Sequence, residues 1–60
     1  MNKAIKYLTT LKLNELRRRQ VLCEKQMAIA FQSGNTVALE NLQRMANDLF
    51  HAVDIVAFNN

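Results

Sequence analysis

The chain contains no proline and no tryptophan, and only one glycine, one cysteine and one histidine. One cysteine cannot make an internal disulfide, and one cysteine with one histidine is too few ligands for a structural zinc site. No Ser, His and Asp set, Gly-rich phosphate loop or pair of catalytic carboxylates can be assembled from the remainder, so a non-enzymatic protein with no cofactor and no metal is expected. Long apolar runs are missing as well. The longest uncharged stretch, residues 26–39, is interrupted by Gln32, Ser33, Gly34, Asn35 and Thr36, whereas a membrane span needs roughly 20 predominantly apolar residues. A secretory signal needs a compact apolar block behind its basic start, and Lys6, Thr9, Thr10 and Lys12 break up the only block available. These absences predict a cytoplasmic protein with no membrane contact, where a reduced Cys23 is ordinary.

What is present is helix-forming. Residues 2–32 are rich in Leu, Lys, Arg, Glu, Gln, Met and Ala, all good helix formers. The chain is punctuated once, at SGNT: Gly34 suits the left-handed residue that closes a helix, and Asn35 or Thr36 suits the N-cap that opens the next. On a helix turning about 100° per residue, Ala38, Leu42, Met45, Ala46, Leu49, Val53 and Val56 share one side of the second half. Glu40, Arg44, Asn47, Asp48, His51 and Asp54 share the other. Such a one-sided face must be covered, and the only partner of matching length within the chain is the first half. The expectation is an all-α antiparallel helical hairpin over 1–60: a first helix over about 2–32, a turn at 33–36 and a second helix over about 37–57. Glu40 is expected in the first turn of the second helix, near the positive end of its dipole.

The first helix has two apolar lines. Leu13, Leu16, Gln20, Cys23, Met27 and Ala30 form a seam with alternating steps of three and four. Ala4, Leu8, Leu11, Leu22 and Ile29 form a second line, roughly 120 to 150° further round. One seam serves one partner, so the second implies a sister molecule. Thr9 and Thr10 are weak helix formers at the start of the first seam, so either a bend or a frayed first turn and a half is expected there. A chain of 60 residues hides only about 60% of its unfolded surface, and without disulfide or metal the remedy is oligomerisation. Two hairpins closing a four-helix bundle are the simplest solution, so a homodimer is expected.

Charge is lopsided. The net charge is +3, but seven of the eight basic residues precede Gly34. Arg17, Arg18 and Arg19 cannot form one patch, since neighbours on a helix point about 100° apart. Arg18 and Lys25, seven residues apart, do align, with Lys3 and Arg17 at the side; these four are the candidates for holding phosphates of RNA or DNA. The competing reading is a solvated face whose arginines pair with Glu15, Glu24 or the acidic second helix. Leu11, Leu22 and Ile29 lie close to the same line as Arg18 and Lys25, and a mixed apolar and basic strip suits a protein partner, with the dimer interface as the competing reading. Cys23 reads as core packing. His51, between Asp48 and Asp54 at steps of three, reads as part of a solvated polar face.

In helix length, short mid-chain turn and basic first helix the chain resembles the Rop-type hairpins of colicin-type plasmids. That resemblance implies a dimer that holds RNA through its first helices. Over its whole length, from MNKAIKYLTTLKLNELRRRQ to FHAVDIVAFNN, it also resembles the small accessory proteins of lambdoid phages encoded between the exonuclease and excisionase genes. This second resemblance implies an early phage protein that binds a host or phage regulatory protein and influences lysogeny, prophage induction or host control.

Overall fold

The computed structural model describes residues 2–59, and every regular element among them is helical: α1 (Lys3–Leu8), α2 (Leu13–Gln32) and α3 (Thr36–Phe58). The reversal between the long helices follows from local chemistry. Gly34 takes φ +68°, a conformation that costs glycine little. The Asn35 N–H donates to the Ala30 carbonyl at 2.9 Å and the Gly34 N–H to the Phe31 carbonyl at 3.2 Å, satisfying two carbonyls stranded at the end of α2. Ser33 Oγ donates to the Ile29 carbonyl at 2.8 Å. Asn35 then opens the next helix, its Oδ1 accepting from the Ala38 N–H at 3.1 Å. The loop is therefore one residue shorter than expected, and α3 starts at Thr36. Glu40 falls outside the first turn, beyond the strongest reach of the helix dipole.

The single helix expected over 2–32 is divided in two. Thr9 Oγ1 donates to the Lys6 carbonyl at 2.9 Å and Thr10 Oγ1 to the Tyr7 carbonyl at 2.6 Å, while Lys12 turns extended at ψ 152° and caps α2 without a side-chain bond. Length explains why the chain yields here. At about 1.5 Å per residue α3 spans roughly 34 Å, whereas an unbroken helix over 2–32 would span roughly 46 Å. Its first turns would overhang the end of α3 and leave Ile5 and Leu8 in water. Folding back lays α1 against α3, and both residues become half-buried.

The core lies between α2 and α3, with Leu16, Cys23, Leu49 and Ala52 at its centre. Along α2 the first seam is observed: Leu16, Cys23 and Ala30 are buried, and Leu13, Gln20 and Met27 half-buried. Along α3 the burial departs from the expected face: Ala52 is fully buried and Met45 52% exposed, while Leu39, Asp48 and Ile55 are half-buried. The second line splits, with Leu8 and Leu11 packed on the core and Leu22 and Ile29 left outside.

The Cα extents are 39 × 21 × 13 Å, the shape of a slab. The radius of gyration is 12.2 Å, against about 10.4 Å for a compact domain of this length. Among the described residues, no helix is long and apolar enough to cross a membrane.

Candidate functional site

The outer flank of α2 carries Arg18, Leu22, Lys25 and Ile29, whose spacings of three, four and seven place them within one narrow strip of the helix. All four are exposed, Leu22 by 56% and Ile29 by 65%. The helix continues unbroken through this stretch because Leu16, Cys23 and Ala30 anchor its inner side. The fifth residue expected on the strip, Leu11, is not there. It precedes α2 in the bend and packs against the core cluster, since the break at Thr9–Lys12 turns it inward.

Beside the strip is a cavity of about 300 Å³ between the three helices. Ala4, Tyr7 and Leu8 of α1, Leu22 of α2 and Met45 and Leu49 of α3 give it apolar walls, with Arg19, Gln26 and Asp48 also lining it. Sequence reasoning missed this cavity. Helical spacing puts Met45 on the covered face and Asp48 on the polar side, and nothing in that spacing shows that α1 folds back over only part of the α2–α3 groove. Beyond α1 the groove continues as a more open depression along Gln26, Ile29, Ala38, Asn41 and Leu42.

The basic residues do not form one cluster. Arg17 and Arg18 border a shallow depression with Asn14 and Val21. Lys3 sits on α1, a different element from Arg17, Arg18 and Lys25. One ion pair occurs among the described residues, Arg19 to Glu15 at 3.4 Å within α2, an exposed pair that contributes well under about 1 kcal/mol. Arg17, Arg18 and Lys25 make no ion pair with Glu24 or with the acidic residues of α3, so their positive charge faces outward.

Cys23 is 3% exposed, and its thiol donates to the Leu42 carbonyl at 3.4 Å. Burial, and then the charge of Glu24, push the thiol above its ordinary value of 9.0, the opposite of what a reactive thiolate needs. His51 is exposed and meets the Phe50 ring edge-on at 6.2 Å between centroids. No group of three or more His, Cys, Asp or Glu side chains among the described residues could hold a metal ion.

No protein family, curated protein or solved structure matches the chain.

Proposed function

We propose that this chain is a small non-enzymatic regulatory adaptor of phage type, working in the cytoplasm of a bacterial host, that binds a host or phage regulatory protein through a helix face. The observation that carries the reading is the strip of Leu22 and Ile29 interleaved with Arg18 and Lys25 on the outer flank of α2, next to a cavity with apolar walls. The apolar pair supplies affinity by leaving water, and the two cations fix register and favour an acidic partner. A homodimer presents two such strips.

The test is affinity purification from a bacterial host with the wild-type chain and with the double variant Arg18→Glu, Lys25→Glu, each with and without nuclease. A partner retained after nuclease and lost with the variant is expected. The same partner set on both chains removes this face from consideration.

The outward charge of Arg17, Arg18 and Lys25 supports a second reading, Rop-like RNA or DNA binding through the basic helix, with Lys3 contributing from α1. Each neutralised phosphate releases counterions, so affinity would fall steeply with salt. No shift of structured RNA or duplex DNA at about 50 mM salt, where such binding is strongest, would eliminate it.

A further inference from the structure

The hairpin has two broad faces, and α1 covers part of only one. On the other, Met27 and Phe31 of α2 and Leu39, Ala46, Phe50 and Val53 of α3 share one side of the hairpin along its length, as the helical spacing of about 100° per residue requires. Phe31 is 75% exposed and Phe50 59% exposed, and a depression lined by Gln20, Cys23, Glu24, Ala46, Asn47 and Phe50 lies between the helices on this side. We propose that a second copy of the chain seats on this face, related by a two-fold axis parallel to the helices, so that each α2 lies across its partner's α3.

Area supports a seated protein partner, and charge supports a second copy. The chain exposes 4756 Å², whereas a compact monomer of its 6.9 kDa mass exposes about 4,000 Å². The excess, on the order of 750 Å², matches the roughly 800 Å² that each partner buries in a standard interface. Charge sets the arrangement. On α2, Arg17, Arg18, Arg19 and Lys25 stand against Glu15 and Glu24, a net +2; on α3, Arg44 stands against Glu40, Asp48 and Asp54, a net −2. Crossing unlike helices brings these opposite charges together, while a two-fold axis across the helices would stack basic on basic and acidic on acidic. The apolar seat is separate from Leu22 and Ile29 of the strip, so Leu22→Glu and the two phenylalanine variants tell the dimer and the adaptor reading apart; Arg18 and Lys25 are charges that the two surfaces share.

Sedimentation equilibrium at tens of micromolar should give twice the chain mass for the wild type. It should give one chain mass for Phe31→Glu and for Phe50→Glu, with helical circular dichroism unchanged because both side chains are exposed. Leu22→Glu, on the other face, should remain dimeric. A monomeric wild type, or dimers that survive both phenylalanine substitutions, overturns the proposal. The arrangement has its own readout. Nitroxide labels on Ser33→Cys in a Cys23→Ala background should lie about two helix diameters apart, about 20 Å. A separation near the 39 Å length of the molecule would show the turns at opposite ends and reject the crossing of α2 with α3.

Discussion

Among single residues, Cys23 shows how packing decides chemistry. A thiol held against the Leu42 carbonyl in the core keeps its proton at a pH where the same thiol in the unfolded chain has lost it. Its folded pKa lies above the unfolded value, so its contribution to stability is intact below about pH 9.0 and is lost as pH rises through the raised value. Thermal melts of the wild type should therefore lose stability above that pH more steeply than melts of Cys23→Ala. Parallel curves would mean that the thiol titrates alike in both states. The role of Cys23 in the core was legible in its seam position. Met45 and Asp48 were not legible in the same way, because their surroundings depend on where α1 ends.

Among elements, α2 and α3 are each long enough to bury a stripe and are tied by a loop in which Ser33, Gly34 and Asn35 satisfy the stranded backbone groups. By contrast, α1 has six residues, none fully buried, well below the roughly 12 to 15 needed for a helix to persist alone. Its order rests on packing against α3. Hydrogen exchange should show the α1 amides opening first, with protection falling well below that of α2 and α3. Equal protection across all three helices would make α1 part of the same cooperative unit. The helix formers in residues 2–32 pointed to one rod, with Thr9 and Thr10 marking either a bend or a frayed end. The bend itself follows from a length mismatch with α3 that only appears once the hairpin is closed.

For the whole molecule, a slab of this size with Phe31, Phe50, Leu22 and Ile29 in water has little apolar area buried to offset chain entropy. If a second copy covers one face, folding and association are linked. The melting temperature should then climb with protein concentration, because mass action favours the associated native state. A melting temperature constant over a hundredfold range of concentration would leave the stability with the single chain. The proposed adaptor role belongs to this scale as well: with the strip on one flank and the proposed self-association face elsewhere, the molecule would hold two partners at once.

By itself the sequence determined the helical class, the reversal at Gly34 and the buried line Leu16, Cys23, Ala30 and Leu49. These depend on backbone propensity, on the one residue suited to a left-handed turn, and on a spacing that stays fixed wherever the helix lies. Only the tertiary structure decided that the first helix breaks, that Leu11 turns inward, and that a cavity opens beside Leu22 and Met45. Those outcomes depend on the relative lengths of packed helices and on how far a short segment can reach along a groove, quantities that exist only after the elements have met.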